Sequence, residues 1–331
     1  MKIFFLEKSI AFTSENLDDS TIGGTEKILI NITNELAKND DFEIKVFNGT
    51  IKKKKIANVE WCNINNYNNK IIPDVLIAFS DISLLNNFKA SKKFLWSHSV
   101  QNFEKFIRKK QFLPYIKHKP TLILEGDYHY RNRSYLTSFF GKKILKVAPD
   151  YDFINEQIDL NHIPNKTCIF TTKSDRNLNI LIDTWKKIFK LNNDAHLIIN
   201  PPYKISEDIA DKNVSLRIKG NKKDLIKDLK TSKIMLVPGH KGEVFCLAAE
   251  EARELCIPIV TLGYGSLYER VEHNKTGFIA KNTEEFIDYT NRLLNDDALY
   301  LKFRKNLFQL RNSRNYSHVV SDLLKIINSI N

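Results

Sequence analysis

Cysteine is scarce in this sequence and is not arranged for metal or disulfide chemistry. The four cysteines are Cys62, Cys168, Cys246 and Cys256, and no two of them form a C-x-x-C pair. No histidines stand at the spacing of a zinc site. The thiols are therefore expected to be reduced side chains in a core, as in proteins of a reducing cytosol.

Long apolar runs are also missing. None approaches the roughly 20 residues that a helix needs to cross a bilayer. The apolar start Lys2–Leu6 is followed at once by Glu7 and Lys8, so it is too short for the core of a signal peptide. We interpret it as a first buried strand and expect a cytoplasmic protein.

Negative charge is in deficit, with 39 Asp and Glu against 51 Lys and Arg and a formal net charge of +12. Such an excess can indicate a nucleic acid, an anionic membrane or an anionic ligand. Lysine is frequent along the whole chain, so its use as a general surface residue explains the charge equally well. Zinc, helix-turn-helix and RNA-stacking motifs are absent, so no nucleic-acid partner is expected.

What the sequence does contain is the pattern of a folded α/β protein with two domains. It has 331 residues, of which 42% are hydrophobic. Short apolar runs alternate with longer amphipathic ones, as in β-α units around parallel sheets. The pattern restarts near residue 165, after an aperiodic stretch at 148–164. We predict an N-terminal domain at 1–155 and a C-terminal domain at 163–312.

The periodicity also predicts individual elements. Strands are expected at Lys2–Leu6, 44–47, 75–78, 93–96, 121–124 and 144–147, and again at 167–171, 196–199, 214–217, 234–237 and 257–261. Helices are expected after Thr25, at 178–189 and, late in the chain, at 284–294, 298–310 and 317–327. The lysine run 52–55 is expected to be a solvated loop.

The strongest motif is the stretch 242–252, which follows a predicted strand and opens a helix. The first amides of a helix have no partner within it and form a natural anion site, here the amides of Phe245, Cys246 and Leu247. Glu243 precedes them, and Glu251 lies about two turns further on, where a carboxylate can accept two hydroxyls of one sugar. In isolation the two glutamates would be an ordinary helix-start acid and an exposed side chain.

The surrounding sequence resembles retaining glycosyltransferase family 4, which has the GT-B fold. Residues 243–252 and 257–260 are similar to the family's E-x-F-G/C-x-x-x-x-E-A and P-V-V segments. Residues 265–271 and 276–278 are similar to its G-G-x-x-E-x-V and T-G-F/L segments. The resemblance implies two Rossmann-like domains facing a central cleft. It also implies that Glu243 approaches the donor sugar and that Glu251 holds the nucleotide ribose.

A basic turn at 170–178 is the second motif, at a predicted strand end that leads into a helix. Cations beside helix-start amides suit a diphosphate, although a basic surface loop would look the same. The turn is similar to the family variant S-S-P-D-R-G-L, which implies that Arg176 is the main diphosphate ligand. It departs from the family at Thr171, where an arginine is commoner, and at Asn177, where glycine is usual. Lys173 is expected to supply the missing charge.

Two further strand ends carry expected site residues. Gly23 and Gly24, in the first β-α connection, resemble the family's G-G-x-E segment, which faces the donor diphosphate; alone, such a pair would be a turn. His98 follows another predicted strand, where family enzymes place a histidine near the donor sugar. Its expected task is orientation and electrostatic stabilisation, whereas a lone histidine is more often structural.

The expected activity is transfer of a sugar from a nucleoside-diphosphate-sugar to a glycan or lipid-linked acceptor, with retention implied by the resemblance. Arg176, Lys173 and the amides would stabilise the departing diphosphate, so neither a metal nor a cofactor is expected. Asp150 and Asp152 fit an Asp-x-Asp metal motif but fall in the domain connection. The alternatives are a sugar-nucleotide epimerase on the same fold, or a non-catalytic sugar- or nucleic-acid-binding protein.

Two segments bear on location and domain closure. Residues 101–119 carry six basic residues and one glutamate, a charge of +5, interleaved with apolar side chains. We favour an amphipathic helix packed on its own domain, and the alternative is peripheral contact with the inner face of an anionic membrane. The resemblance implies that the last helix, within 316–331, packs back on the N-terminal domain.

Overall fold

The computed structural model describes residues 1–8, 10–19, 22–67, 71–100, 103–108, 110–200, 213–217 and 220–330, with the backbone alone at Lys105. The chain divides into two compact units. Unit 1 comprises Met1–Leu17, Gly24–Val147 and Tyr316–Asn331, and unit 2 comprises Asp18–Gly23 and Ala148–Asn315. Each unit is built on its own sheet, so the predicted α/β class with two sheets is confirmed.

The elements follow one another along the chain as listed here. The strands are β1 Lys2–Leu6, β2 Glu43–Asn48, β3 Lys54–Ile56, β4 Val59–Asn63, β5 Val75–Phe79, β6 Lys92–Trp96, β7 Thr121–Leu124, β8 Lys142–Ile144, β9 Thr167–Phe170, β10 His196–Ile199, β11 Val214–Leu216, β12 Ile234–Gly239, β13 Ile259–Tyr264 and β14 Gly277–Ile279. The α-helices are α1 Gly24–Leu36, α2 Phe103–Arg108, α3 Phe112–His118, α4 Asp127–Arg131, α5 Tyr151–Ile154, α6 Leu178–Leu191, α7 Lys222–Lys230, α8 Leu247–Glu254, α9 Thr283–Asn295, α10 Asp297–Phe308 and α11 Tyr316–Asn328. Short 3₁₀ turns include Ile82–Asn87, Tyr135–Phe139 and Gly265–Glu269.

The sheet of unit 1 has the strand order β3-β4-β2-β1-β5-β6-β7-β8. Its pairings are parallel, for example Leu76 beside Lys93, except that β3 runs antiparallel to β4. The hairpin between β3 and β4 turns at Ala57 and Asn58, which both have positive φ, as a two-residue hairpin requires. The prediction of a loop for the whole run 52–55 is therefore wrong, because Lys54 and Lys55 lie in an edge strand. Lysine on such an edge discourages pairing with other chains.

The sheet of unit 2 is parallel, with the order β11-β10-β9-β12-β13-β14. Alternate residues of its strands belong to two different cores. Cys168 and Phe170 of β9 pack with α6 on one face. Ile169, between them, packs with the residues of α8 on the other. Both faces are thus covered, which explains why these strands read as continuous apolar runs.

The last helix, α11, belongs to unit 1 and packs on α1. Its apolar stripe of Val319, Leu323 and Ile327 is buried. Lys92 Nζ, at the start of β6, donates to the Ile327 carbonyl at 3.1 Å. Unit 1 therefore contains a segment that follows all of unit 2 in the sequence.

Two predicted elements differ from the structure. The strand expected at 144–147 lies at Lys142–Ile144, because an edge strand tolerates the two charged residues that periodicity passed over. Leu145 and Val147 are buried beyond its end. The segment 101–119 forms two short helices, α2 and α3, rather than one; its residues Gln101, Asn102 and Lys109, and the side chain of Lys105, lie outside the described part.

Candidate active site

The basic turn after β9 is held against the end of β12. Asn177 has a left-handed backbone with φ of 63°, which favours glycine or asparagine. Its side-chain Nδ2 donates to the Gly239 carbonyl at 2.6 Å. Asparagine thus meets the backbone requirement that glycine meets in the family pattern and adds a tether between two loops of unit 2. Arg176, one residue earlier, is fixed through that tether and through its amide, which donates to the Lys173 carbonyl at 3.0 Å.

The loop that carries Glu243 is fixed through its backbone. The Glu243 amide donates to the His240 carbonyl, and the Glu243 carbonyl accepts from the Ser266 amide, both at 2.9 Å. Gly265 lies against this loop with φ of +71°, and a Cβ there would stand 2.4 Å from the His240 carbonyl oxygen. Only glycine fits that position, so the glycine segment after β13 serves to hold the Glu243 loop.

Arg176 and Glu243 meet at the carboxyl ends of β9 and β12. Arg176 Nε lies 3.1 Å from Glu243 Oε2, and the two side chains are 19% and 20% exposed. Arg176 NH1 lies 3.1 Å from His240 Nδ1, which also accepts from the Gly242 amide at 2.9 Å. In both contacts Nδ1 is the acceptor nitrogen of the His240 ring. The result is a partly exposed cationic group with a carboxylate beside it.

The helix-start amides are not all open as the sequence predicts. The Cys246 amide donates to Glu243 Oε1 at 3.2 Å, so that amide is occupied by the neighbouring carboxylate. Cys246 has φ of 61°, and α8 begins at the next residue, Leu247. The Phe245 carbonyl accepts from Arg270 Nε at 2.7 Å, and the Arg270 guanidinium stacks on the Phe245 ring. An anion that took the Cys246 amide would have to displace Glu243 from it.

Three buried hydroxyls belong to residues near this pair. Two of these residues precede Arg176 in its turn, and the third bonds to the Glu243 loop through its amide. Thr171, Thr172 and Ser266 are 9%, 7% and 0% exposed, and their Oγ atoms have no hydrogen-bond partner among the described residues. Buried polar atoms usually find partners, so each such atom needs an explanation. A polar ligand at the ends of β9 and β13 would provide it.

The remaining expected residues of unit 2 lie in less enclosed positions. Lys173 is exposed, in the turn before Arg176. Glu251 is half-buried in the second turn of α8. The adjacent Glu250, in contrast, is buried and pairs with Arg270 at 3.2 Å. Of the two neighbouring carboxylates, Glu250 is thus the one that Arg270 engages.

His98 follows β6 in unit 1 and pairs with a residue that the sequence did not suggest. Its Nδ1 lies 2.7 Å from Glu125 Oε1, with the two side chains 8% and 4% exposed. The ring stacks against those of Phe79 and Trp96, with centroids at 5.0 and 5.8 Å. His98 Nε2 is buried without a partner among the described residues. The pair therefore fixes the ring and leaves one nitrogen for another molecule.

Glu125 and His240 are the two residues that sequence reasoning missed. Glu125 directly follows β7, which pairs with β6, so both members of its pair stand at adjacent strand ends. A carboxylate at a strand end was the available signal, but using it required the strand order. His240 follows a glycine at the end of β12 and carried no motif of its own.

Gly23 and Gly24 stand at the start of α1. Gly23 is buried, Gly24 is the first helical residue and is exposed, and neither has positive φ. Gly23 belongs to unit 2 and Gly24 to unit 1. No backbone strain therefore requires glycine at either position.

The Asp-x-Asp pattern is engaged by a lysine. Lys222 Nζ lies 2.9 Å from Asp150 Oδ2 and 2.7 Å from Asp152 Oδ2, and its side chain is 4% exposed. Asp18 Oδ1 lies 2.8 Å from the same nitrogen. Across the described residues, no group of three or more His, Cys, Asp or Glu side chains is placed to hold a metal ion.

The four cysteines are buried and unpaired. Burial raises the pKa of Cys62 and Cys256 to about 11, and that of Cys168 and Cys246 further. All four are therefore neutral thiols near pH 7, which excludes a thiolate nucleophile in this site.

Unit 2 contains the region of the chain that matches a known protein family. Residues 168–309 match the family model of the glycosyl transferases group 1. The matched region lies within unit 2, contains Arg176 and Glu243, and is less than half of the chain. No curated protein sequence matches the chain.

Solved glycosyltransferase structures are similar to the whole chain. HepE from Anabaena, in complex with UDP-glucose, is 14% identical, with 100% of each chain covered and a TM-score of 0.72. WaaG, a glycosyltransferase involved in lipopolysaccharide biosynthesis, is 13% identical, with 99% of each chain covered and a TM-score of 0.68. The chain thus has the GT-B fold that the resemblance implied.

A third structure is longer than this chain. A variant of S. aureus TarM, in complex with fondaparinux, α-GlcNAc-glycerol and UDP, is 18% identical with a TM-score of 0.62. The match covers 77% of this chain but only 55% of TarM.

Within the described ranges, no helix has the length and apolar character needed to span a membrane.

Proposed function

We propose that the chain is a glycosyltransferase that moves a sugar from a nucleoside-diphosphate-sugar to a glycan or lipid-linked acceptor. The observation that carries this proposal is the pairing of Arg176 with Glu243 at 3.1 Å, inside the region that matches the glycosyl transferases group 1. A guanidinium at a strand end suits a diphosphate, because it can donate two parallel hydrogen bonds to phosphate oxygens.

Uridine diphosphate is the nucleotide that we propose. HepE is described with UDP-glucose, and the TarM variant with UDP. In this proposal Glu251, half-buried in α8, accepts the ribose hydroxyls. The Oγ atoms of Thr171 and Thr172 gain partners from the diphosphate, which would account for two buried atoms without one.

The proposed chemistry needs no metal ion and no cofactor. The bond between the anomeric carbon and the diphosphate oxygen breaks, the acceptor hydroxyl oxygen bonds to that carbon, and the hydroxyl proton passes to the departing diphosphate oxygen. Charge gathers on the departing diphosphate, where Arg176, Lys173 and the amides of Cys246 and Leu247 would stabilise it. Glu243 would release the Cys246 amide to the diphosphate and turn towards the sugar. Retention of configuration is part of the proposal on the strength of the family resemblance.

His98 has an orienting role in this proposal. Glu125 holds the proton on Nδ1, and the aromatic stack fixes the ring plane. The free nitrogen, Nε2, then has a set direction from which to contact the sugar. Gly23 and Gly24 are proposed to face the diphosphate through their backbone. A cytoplasmic location, with contact at the inner membrane face, belongs to the same proposal.

The test is nucleotide release by a substituted protein. Glu243→Gln keeps the size of the side chain but removes its charge, and turnover should fall by at least about tenfold. Glu284→Gln is the matched control, since that glutamate is 71% exposed at the start of α9. Donor-dependent release of UDP also separates the enzyme from a non-catalytic sugar- or nucleic-acid-binding protein. Equal turnover of the Glu243 and Glu284 variants would remove Glu243 from the site, and a product that is only an epimerised donor would favour the epimerase.

A further inference from the structure

We propose that unit 1 docks on an anionic lipid bilayer through α2, α3 and the 3₁₀ turn Tyr135–Phe139, which together we call the docking surface. The inference deepens the proposed function by naming where a lipid-linked acceptor would be met, and only that connection rests on the proposed function. The docking itself rests on three observations: exposed apolar side chains, their anchoring, and the charge around them.

The two helices expose large apolar side chains to solvent. Those with an exposed fraction between 49% and 74% are Phe103, Ile107, Phe112, Leu113 and Ile116. Phe103 and Ile107 are four residues apart on α2, so they share one face. Phe112 and Ile116 do the same on α3. Single exposed apolar residues are ordinary, but a run of five within 14 residues marks an interaction site.

The exposure does not come from loose packing of the helices. Phe106 of α2 and Tyr115 of α3 are 2% and 1% exposed, with ring centroids 4.9 Å apart. Both belong to the core on one face of the unit 1 sheet. The inner sides of the helices are thus anchored, and the apolar side chains listed above lie on the sides that remain.

The turn Tyr135–Phe139 extends the surface with an aromatic pair. Tyr135 and Phe139 are 79% and 78% exposed, and their centroids are 6.1 Å apart. Phe140, next in the chain, packs on Tyr115 at 5.2 Å, which places the turn beside α3. Lys142 Nζ donates to the carbonyls of Ser138 and Phe140 at 2.8 and 2.7 Å. The aromatic pair is therefore presented by a hydrogen-bonded turn, and such amphipathic rings favour the headgroup level of a bilayer.

Charge decides which partner covers this surface. Arg108, Lys110, Lys117 and Lys119 are exposed, against one exposed acid, Glu104. Basic residues around apolar side chains are what an anionic headgroup layer attracts. A second copy of the chain would bring the same positive charge to the interface. Aliphatic side chains such as Ile107, Leu113 and Ile116 insert into lipid but do not stack on bases, so a bilayer fits better than a nucleic acid.

Vesicle flotation of the full chain tests the docking without any donor or acceptor. The protein should float with vesicles of phosphatidylcholine and phosphatidylglycerol, and should not float with phosphatidylcholine alone. High salt should weaken the binding, because it screens the headgroup charge. Leu113→Ser with Phe139→Ser should reduce the partition constant by at least about tenfold. The control is Ile51→Ser with Leu191→Ser, at residues that are 83% and 67% exposed elsewhere.

A second pair of variants tests the charge. Lys117→Gln with Lys119→Gln should reduce partitioning by about 25-fold, from about 1 kcal/mol for each basic residue at the surface. Lys38→Gln with Lys186→Gln is the control. Lys38 lies just after α1 and is 66% exposed, and Lys186 lies on α6 and is 64% exposed. Circular dichroism should show that all variants remain folded.

Several results would overturn the docking proposal. They are no flotation at low salt, equal flotation of docking and control variants, or an oligomer that the Leu113 and Phe139 changes dissociate while vesicles bind nothing. Capture of an oligonucleotide in place of vesicles would also overturn it. The proposed function is judged separately by UDP release, so a chain that floats but releases no UDP would fail as an enzyme and stand as a membrane-docking protein.

Discussion

The Arg176–Glu243 pair of unit 2 and the His98–Glu125 pair of unit 1 are built in opposite ways. In unit 2, Arg176 and Glu243 are about one-fifth exposed and are held by the backbone of their loops. In unit 1, His98 and Glu125 are below one-tenth exposed, and the His98 ring is stacked on aromatic neighbours. Partly exposed charges can change partners when an anion arrives, whereas a stacked and paired imidazole is held in one orientation by its contacts. In the proposed function, this difference suits a binding group in unit 2 and an orienting group in unit 1.

The largest expected effect is on the binding side. Arg176→Met removes the guanidinium that is proposed to hold the diphosphate, and kcat/KM should fall by about 100-fold or more. The affinity for UDP, measured by isothermal titration calorimetry, should fall with it. Arg131→Met is the control, at an exposed arginine of α4. Unchanged UDP affinity in the Arg176 variant would contradict the proposed difference between the units, since Arg176 of unit 2 would then not bind the diphosphate.

A smaller effect, of a different kind, is expected on the orienting side. Glu125→Gln keeps the volume of the side chain but removes the charge that holds the proton on His98 Nδ1. We expect kcat to fall by about tenfold, while UDP affinity stays the same. Glu125→Asp should restore part of the rate. If Glu125→Gln instead weakened UDP binding as much as Arg176→Met, the division of labour between the units would be wrong.

Breaking the charge cluster around the buried Lys222 should affect stability rather than chemistry. Lys222→Met leaves Asp150 and Asp152 without their cation, which should lower the free energy of unfolding by about 3 kcal/mol. Urea denaturation measures it, with Lys223→Met, the exposed neighbour, as control. Burial lowers the pKa of Lys222, but hydrogen bonds to the three aspartates raise it more, so the net shift is upward. The contribution should therefore be constant through neutral pH and be lost only as pH rises above the range where lysine normally titrates.

No effect at all is expected from chelation. Because Lys222 engages Asp150 and Asp152, and because a guanidinium is available for the diphosphate, UDP release should continue at the same rate in excess EDTA. Loss of activity that Mn²⁺ or Mg²⁺ restores would contradict the metal-free proposal. It would also return the Asp-x-Asp pair to consideration, and Lys222→Met would then be expected to raise metal affinity.

Local sequence signals were enough to place the strand ends that carry Arg176, Glu243 and His98. Each of these residues follows an apolar run in the sequence. The three runs were predicted to be strands, and the structure has β9, β12 and β6 there. Partners were harder to predict. Glu125 is 27 residues from His98, and the two meet only because β6 and β7 are neighbours in the sheet. A pair that depends on strand order leaves no trace in spacing.

The misread elements share a physical cause. β3 and β8 are edge strands rich in lysine, and they gain from pairing on one side while their charges stay in water. In 101–119 the favoured reading, packing on the protein's own domain, describes the inner residues Phe106 and Tyr115. That interpretation does not account for the apolar outer face. Periodicity predicts one helix with one apolar stripe, and it does not reveal that the helix is interrupted at 110–111.

The position of α11 has a consequence for the order of events during synthesis. A domain normally folds as its own residues leave the ribosome. Unit 1 cannot do so, because the helix that packs on α1 is made only after the whole of unit 2. The apolar stripe of α1 therefore waits, uncovered by its partner, while Ala148–Asn315 is translated. Unit 2, whose residues are nearly contiguous, is free to fold first. Unit 1 is then expected to complete its fold only after α11 has been synthesised.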